Sequence, residues 1–276
     1  MASPRKILNE HGLAAHKGRG QNFLSDPGAA RAIVHRSGLG TGDLVLEIGP
    51  GLGALTRPLL EAGCTVAAVE IDQGFVRVLK EELSPLFPER LTIMPHDILK
   101  VDLNDLSARW GRSFHVVGNL PYQISTPVLL KILDSRDVVT RAVMMFQREL
   151  AQRLTAGPGT KAYGRLSVLM GYHARLKRLM ELDPAVFYPR PKVTSTLVSI
   201  IFKESLEPPL KSEPLFRRVV AAGFAQRRKT LKNSLRSVFP EDEALAALAA
   251  AEIDPARRAE TLSINEFVTL ANAWPG

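Results

Sequence analysis

The first half of the chain alternates between short apolar runs and stretches with apolar side chains at helical spacing. Five runs are typical of buried strands: residues 44–49, 65–72, 91–97, 114–119 and 141–147. Three stretches between them have the spacing of amphipathic helices: residues 54–63, 75–83 and 127–135. This alternation predicts a parallel, doubly wound sheet with right-handed crossovers.

The rhythm changes in the second half. Residues 164–174 have helical spacing, whereas 174–182 and 194–203 are predicted strands, the latter with β-branched residues. Prolines and mixed charges over 203–214 are typical of a linker. Beyond the linker every apolar pattern is helical, and the sequence from Ser263 to Glu266 is a capping box that opens a last short helix.

These patterns predict two domains. The first, residues 1–205, is expected to be Rossmann-like, with a seven-stranded and mostly parallel sheet. The second, residues 206–276, is expected to be small and all-helical.

The composition is that of an ordinary globular protein, with 45% hydrophobic and 23% charged residues. The sequence has no apolar run long enough to cross a bilayer, and its N-terminus lacks the apolar core of a secretory signal. The single cysteine, Cys64, excludes an internal disulfide framework and a cysteine-cluster metal site. We therefore expect a cytoplasmic protein. No metal is predicted, because the six histidines show no ligand spacing: His11, His16, His35, His96, His115 and His173.

Charge indicates a polyanionic partner. The chain has 36 Lys and Arg against 28 Asp and Glu, a formal net charge of +8, which suggests nucleic acid or an anionic membrane surface. The segment 216–239 alone holds seven Lys or Arg and no carboxylate. A solvated amphipathic face is the alternative explanation of that segment.

Ligands of parallel sheets bind beyond the carboxyl ends of the strands, so the residues at these ends are expected to form one site. The first predicted strand runs into Gly49, Gly51 and Gly53, a spacing that differs from the dinucleotide-binding pattern. Glu70 follows about 20 residues after Gly49, the separation expected of a carboxylate that accepts ribose hydroxyls. A plain turn could explain the glycines, and a helix-capping role suits Asp72 better than Glu70.

A second carboxylate ends the third predicted strand. Asp97 could accept a hydrogen bond from an adenine amino group, although a solvated loop acid is the simpler explanation. Two carboxylates without a phosphate-binding lysine disfavour a nucleoside triphosphate. They fit a phosphate-free adenosine cofactor, of which S-adenosyl-methionine is the common one.

The fourth predicted strand ends in the sequence VGNLPY (117–122). An exocyclic amine of a base is a poor nucleophile, and acceptors aimed at its N–H groups favour the charge that develops on methyl transfer. The side-chain carbonyl of Asn119 and the backbone carbonyl of Leu120, which precedes Pro121, could be such acceptors. Tyr122 offers a ring for a flipped-out base. A proline-containing turn is the alternative.

These motifs resemble the ribosomal RNA adenine dimethyltransferase family, in particular its small-subunit branch, over nearly the whole chain. The resemblance rests on six segments: GQNFL (20–24), EIGPGLGALT (47–56), VEID (69–72), HDIL (96–99), GNLPY (118–122) and VFYPRPKVTS (186–195). It implies a class I methyltransferase fold and S-adenosyl-methionine as cofactor. It also implies dimethylation of N6 on two adjacent adenosines near the 3′ end of small-subunit, 16S-type RNA, as naked RNA or within a small subunit.

The resemblance also implies roles for individual residues. Asn22 and Leu24 would close over the cofactor, and Phe187 would face Tyr122 across the base. The cofactor would contact the strand ends: Gly49, Gly51, Glu70, Ile71, Asp97, Ile98 and Asn119. RNA would meet cations beside the base and in the helical tail: Arg190, Lys192, Arg227, Arg228, Lys229 and Lys232. A monomer is the default expectation.

Three other functions fit the sequence less well. The antibiotic-resistance branch of the same fold methylates large-subunit RNA, and the basic helical tail and the leucine of GNLPY disfavour it. A non-catalytic assembly or transcription factor is disfavoured by the intact segment from Asn119 to Tyr122 and by the glycine loop. A nicotinamide-dependent oxidoreductase is disfavoured by the glycine spacing.

Overall fold

The computed structural model describes residues 3–15 and 20–275; His16, one of the six histidines named above, lies outside them. The chain divides into two compact units. The first comprises the described part of Met1–Ala151 together with Lys177–Phe202, and the second comprises Gln152–Leu176 together with the described part of Lys203–Gly276.

Strands of the described chain form two sheets. Their bounds are β1 (Phe23–Leu24), β2 (Leu44–Ile48), β3 (Thr65–Val69), β4 (Leu91–Met94), β5 (Phe114–Asn119), β6 (Val139–Gln147), β7 (Ala174–Leu182), β8 (Phe187–Tyr188) and β9 (Ser195–Phe202). The large sheet has the order β4-β3-β2-β5-β6-β9-β7, and β1 pairs with β8.

The large sheet confirms the predicted seven-stranded, mostly parallel architecture. β4, β3, β2, β5 and β6 run parallel to one another, and β9 is antiparallel to β6. All five residues of β2 are buried, which explains why its sequence is a continuous apolar run broken by one acid. The strand order changes direction beside β2, which places the ends of β2 and β5 at the switch point where α/β sheets bind ligands.

In the described part of the chain, seven α-helices precede residue 155. They are α1 (Pro4–Glu10), α2 (Pro27–Ser37), α3 (Thr56–Glu61), α4 (Gln73–Glu82), α5 (Leu103–Trp110), α6 (Ser125–Asp134) and α7 (Arg148–Leu154). The apolar spacing predicted α3, α4 and α6. It did not predict α1, α2, α5 or α7. Asp72 caps α4 through a hydrogen bond from the Gly74 amide, as its position indicated.

The second unit is helical. Its helices are α8 (Arg165–His173), α9 (Glu213–Gly223), α10 (Leu231–Leu235), α11 (Glu241–Ala250) and α12 (Ile264–Asn272). Phe216 and Phe267 are fully buried in its core. The predicted capping box is confirmed, because the Ser263 hydroxyl accepts from the Glu266 amide and the Glu266 carboxylate accepts from the Ser263 amide.

Two details differ from the sequence prediction. The helical unit includes Gln152–Leu176, which the prediction assigned to the first domain. Within that unit, the ring of Tyr172 lies 5.2 Å from that of Phe216, and Nε2 of His173 lies 3.0 Å from the Glu213 carboxylate. Residues 224–230, predicted to be helical, form a turn between α9 and α10. Among the described helices, none combines the length and the apolarity needed to span a membrane.

Candidate active site

The ends of four adjacent parallel strands border one cavity of about 420 Å³ in the first unit. The carboxyl ends of β4, β3, β2 and β5 share one edge of the sheet, which is why residues distant in sequence meet there. Eleven of the predicted site residues line this cavity: Asn22, Leu24, Gly49, Gly51, Glu70, Ile71, Asp97, Ile98, Asn119, Leu120 and Pro121.

The glycine loop after β2 forms one wall. Gly51 and Gly53 have left-handed φ angles of 55° and 81°. A Cβ on Gly51 would lie 3.1 Å from the Phe23 ring, and one on Gly53 would lie 2.7 Å from a Leu83 methyl. These positions require glycine, because a side chain would strain the backbone and push the loop off its neighbours.

Glu70 lies immediately after β3 and is 6% exposed. One carboxylate oxygen accepts from the Asp72 amide at 2.9 Å and the other accepts from the Gly51 amide at 3.1 Å. Burial raises the pKa of Glu70, and these backbone hydrogen bonds offset part of the rise. The amides fix the carboxylate in place, and each oxygen retains a lone pair for a ligand hydroxyl.

Glu47 is a second buried acid of the cavity, 2% exposed, and the sequence analysis assigned it no role. Burial raises its pKa to about 8; the Thr56 hydroxyl opposes this rise, and the charge of Glu70 adds to it. Oε2 of Glu47 has no hydrogen-bond partner among the described residues. Since Glu70 has two amide donors, Glu70 is the better site for the negative charge and Glu47 is the better site for the proton.

The third carboxylate, Asp97, follows β4. Its Oδ1 accepts from the Leu99 amide at 3.0 Å and caps a single turn of 3₁₀ helix, Ile98–Lys100. Ile71 and Leu99 also line the cavity, yet they are 64% and 40% exposed. Exposed aliphatic side chains beside an acceptor are suited to a flat heterocycle with an amino group.

Asn119 is the last residue of β5, and its Nδ2 donates to the backbone carbonyl of Asn22 at 3.0 Å. Because a backbone carbonyl only accepts, this bond fixes which end of the amide is nitrogen. The carbonyl oxygen Oδ1 therefore points away from Asn22. Leu120 lies beside the glycine loop, with a methyl 3.6 Å from the position of a Cβ on Gly49.

The two rings predicted to clamp a base do not line the cavity. Tyr122 is partly buried, and its hydroxyl lies 2.8 Å from the Ser195 hydroxyl. Burial raises the pKa of this phenol, so the ring stays neutral. Phe187 is only 4% exposed and packs in the hydrophobic core with Leu24. The clamp role of Phe187 stays a prediction; in this structure its position in β8 directs the side chain into the core.

The predicted RNA-binding cations differ in their surroundings. Arg190 lies 3.6 Å from Asp183, both of them largely exposed, and Lys192 is exposed. In the helical unit Arg227 donates to the Lys161 carbonyl, and Lys232 lies 3.0 Å from Glu241. Arg228 and Lys229 are exposed in the turn between α9 and α10. The opposite charge of Glu241 reduces what Lys232 can offer to phosphate.

Several lining residues were missed by the sequence analysis. Phe23 and Phe75 stack edge-to-face with ring centroids 5.2 Å apart, and both line the cavity. Glu47 was readable from sequence, because an acid inside a fully apolar strand is rarely left unused. The contribution of Phe75 from α4 was not readable, since its spacing is that of an ordinary core residue.

The character of the lining restricts the ligand. Three acids, Glu47, Glu70 and Asp97, line the cavity, and no described lining residue is Lys or Arg. Such a lining suits a ligand with ribose hydroxyls and positive charge and is poorly suited to a pyrophosphate. These features fit S-adenosyl-methionine, whose sulfonium and ammonium are both cationic.

The fold and this cavity together define a class I, S-adenosyl-methionine-dependent methyltransferase. The sequence model of the ribosomal RNA adenine dimethylases matches residues 12–274. The chain belongs to this family.

Similar proteins cover nearly the full chain. The ribosomal RNA small subunit methyltransferase A of Desulforapulum autotrophicum is 44% identical over 99% of this chain and 96% of its own length. The protein of that name from Bacillus mycoides is 39% identical, covering 99% and 97%. A dimethyladenosine transferase from Plasmodium falciparum has a similar structure, with a TM-score of 0.76, 26% identity and coverage of 90% of this chain and 95% of its own. The 23S rRNA methyltransferase ErmE shares the fold, with a TM-score of 0.69, 24% identity and coverage of 91% and 99%.

Proposed function

We propose that this enzyme transfers methyl groups from S-adenosyl-methionine to N6 of two adjacent adenosines near the 3′ end of small-subunit ribosomal RNA. The observation that carries the proposal is that Glu70, Asp97 and Asn119, from three strand ends, line one cavity. Two relatives that cover nearly the whole chain are named small subunit methyltransferases, which favours the small-subunit RNA over the large-subunit RNA.

In this proposal, each part of the cofactor has a partner in the cavity. Glu70, held by two backbone amides, accepts the ribose hydroxyls. Asp97, with Ile71 and Ile98 beside it, receives the adenine. The glycine loop admits the methionine portion, because Gly49 and Gly51 have no side chains to fill that space. When bound, S-adenosyl-methionine supplies an electrophilic methyl carbon.

The acceptor side is formed by the end of β5. Oδ1 of Asn119, oriented by the bond from Nδ2 to Asn22, accepts a hydrogen bond from the adenosine amino group. This contact favours a more tetrahedral nitrogen, whose lone pair is then available for attack. The backbone carbonyl of Leu120 is the second acceptor. No side chain needs to remove a proton beforehand, because the N–H becomes acidic as positive charge develops, and the proton then leaves to water.

The ring of Tyr122 aligns the target base in this proposal. Its ring is anchored by the hydroxyl contact with Ser195, and Tyr122 follows Asn119 by three positions in the chain. In this proposal, a base stacked on the ring places its amino group between the Asn119 and Leu120 acceptors. Such positioning supplies much of the rate acceleration in a reaction without acid–base catalysis. Phe187 contributes here as a core residue that supports β1.

The RNA is held by basic surface residues. Arg228 and Lys229 in the helical unit, and Lys192 in the first unit, are the exposed cations that meet phosphate. The protein acts in small-subunit biogenesis, which places it in the cytoplasm, and it acts as a monomer.

The proposal is tested by transfer of labelled methyl from S-adenosyl-methionine to small ribosomal subunits that lack the modification, followed by nucleoside analysis. We expect label in N6,N6-dimethyladenosine of the small-subunit RNA. Large-subunit RNA added in the same assay is the control. Label confined to the large-subunit RNA would assign the enzyme to the other branch, and no label in either would indicate a non-catalytic protein.

A further inference from the structure

The short pairing of β1 with β8 carries one aromatic residue from each strand on the face opposite Leu24 and Phe187. Phe23 lies opposite Tyr188, and Leu24 lies opposite Phe187. Directly opposed residues of an antiparallel pair project to the same face, and successive residues project to opposite faces. Leu24 and Phe187 therefore share the core face, while Phe23 and Tyr188 share the other.

That second face is continuous with the active-site rim. Phe23 lines the cavity, whereas Tyr188 is 37% exposed. The strand pair is fixed to its surroundings, since both the amide and the hydroxyl of Ser25 donate to the Val186 carbonyl. The same chain segment accepts the Asn119 hydrogen bond at Asn22. Tyr188 is thus held at a fixed offset from the acceptor of the methyl-transfer site.

The residues after Tyr188 have the chemistry of a single-stranded nucleic-acid surface. Arg190 and Lys192 are exposed, and Val193 is 41% exposed. The neighbouring acid, Asp183, forms an exposed ion pair with Arg190 that competes weakly with phosphate. An exposed aromatic ring interleaved with cations binds bases by stacking and backbone by charge, with little dependence on sequence.

We propose that Tyr188 is a stacking platform for an RNA nucleotide that flanks the target adenosine, with Lys192 and Arg190 at its phosphates. The inference rests on the proposed function for the nature of the substrate. It assigns Tyr188 to a flanking nucleotide, because the target base must reach Asn119 and Tyr122. The ring does not line the cofactor cavity, so the platform serves RNA and not the cofactor.

The first test measures binding independently of turnover. A short single-stranded RNA carrying 2-aminopurine reports stacking by fluorescence quenching. We expect Tyr188→Ala to weaken the affinity for this RNA about tenfold and to lose the quenching. Tyr188→Phe keeps both, because the ring remains, and Tyr188→Leu restores neither. Leu86→Ala, at an apolar side chain 56% exposed elsewhere in the first unit, is the matched control and leaves both unchanged.

The second test uses small subunits that lack the modification and labelled S-adenosyl-methionine. We expect Tyr188→Ala to raise KM for the subunits about tenfold, with kcat and the Kd for S-adenosyl-methionine within twofold of the wild type. Thermal melting of each variant checks that the fold is kept. Three results would each contradict the proposed stacking role of Tyr188. They are an unchanged RNA affinity and KM in Tyr188→Ala, wild-type RNA affinity and KM in Tyr188→Leu, and a loss in Tyr188→Ala that is confined to cofactor binding. A wild-type enzyme that methylates no small subunit would overturn the proposed function instead, and the fluorescence assay would still decide on Tyr188.

Discussion

The side-chain amide of Asn119 donates a hydrogen bond of 3.0 Å to the backbone carbonyl of Asn22, 97 positions earlier in the chain. This bond joins the end of β5 to the segment that enters β1, and it settles the orientation of the amide. The oxygen that we propose as the acceptor of the substrate amino group is thereby held in place. Preorganised acceptors of this kind stabilise developing charge without reorganising during the reaction.

Replacement of Asn119 separates chemistry from cofactor binding. We expect Asn119→Ala to lower kcat by about a hundredfold or more, because it removes an acceptor used in the transition state. The Kd for S-adenosyl-methionine, measured by calorimetry, should change much less, since Glu70 and Asp97 remain. Gln123→Ala, a lining residue of the same segment, is the comparison variant. Equal losses in kcat from both variants would argue against a specific role of the Asn119 oxygen.

Glu70 is expected to control cofactor affinity. Its two oxygens each accept a hydrogen bond from a backbone amide. In a glutamine side chain, an NH2 group replaces one of these oxygens and would face a backbone N–H, so two donors would oppose each other. We predict that Glu70→Gln raises the Kd for S-adenosyl-methionine about tenfold or more. Glu61→Gln, at an exposed acid of the same unit, should leave it unchanged. Calorimetric titration of both variants makes the comparison, and an unaltered Kd in Glu70→Gln would remove the ribose contact from the account.

The buried acid Glu47 predicts a pH dependence of stability. Burial raises its pKa from 4.5 to about 8. Since the folded pKa lies above the unfolded one, the unfolded chain releases this proton first, and stability falls as pH rises from about 4.5 to about 8. Glu47→Gln mimics the protonated form, so relative to the wild type it should gain on the order of a few kcal/mol in free energy of unfolding between pH 5 and pH 9.

Urea unfolding of wild type and Glu47→Gln without cofactor measures this difference. The pKa of Glu70 is also raised by burial, but Glu70 is present in both proteins, so the difference reports mainly on Glu47. Stability curves that stay parallel from pH 5 to pH 9 would contradict the prediction.

The exposed cations of the turn after α9 predict a salt-dependent contribution to RNA affinity. Arg228→Glu with Lys229→Glu should weaken binding and reduce the slope of log affinity against log salt concentration by about 1 to 2. Lys232→Gln should have a smaller effect, because Lys232 lies 3.0 Å from Glu241. Filter binding at several salt concentrations supplies both slopes. A double variant with the wild-type slope would exclude this turn as a docking surface.

The sequence predicted the sheet well because its signals are local. β2 and β3 are apolar runs of a length that only buried strands have, and the glycines and Glu70 follow them at fixed distances. The helix α2 was not predicted, although residues typical of helix ends mark both of its boundaries. Asp26 caps it, Pro27 occupies its first turn, and Gly38 ends it in a left-handed conformation. Its weak apolar pattern concealed these signals.

Other features depend on contacts that no local pattern shows. The burial of Phe187 follows from the pairing of β8 with β1, two strands of two residues each from opposite ends of the unit. The inclusion of α8 in the helical unit depends on packing of Tyr172 against Phe216, over a sequence distance that contains three strands. The proline-rich segment before α9 indicated a domain boundary through its composition. Composition does not show that an earlier helix, α8, packs in the core of the second unit.

The central claim is that one cavity aligns the cofactor with the acceptor oxygen of Asn119. The most direct test is a crystal structure of the protein with bound S-adenosyl-homocysteine. We expect both ribose hydroxyls at about 3 Å from the Glu70 carboxylate, the adenine amino group at Asp97, and the sulfur on the side of the cavity that Asn119 borders. A cofactor bound outside this cavity, or one whose sulfur faces away from Asn119, would contradict the account.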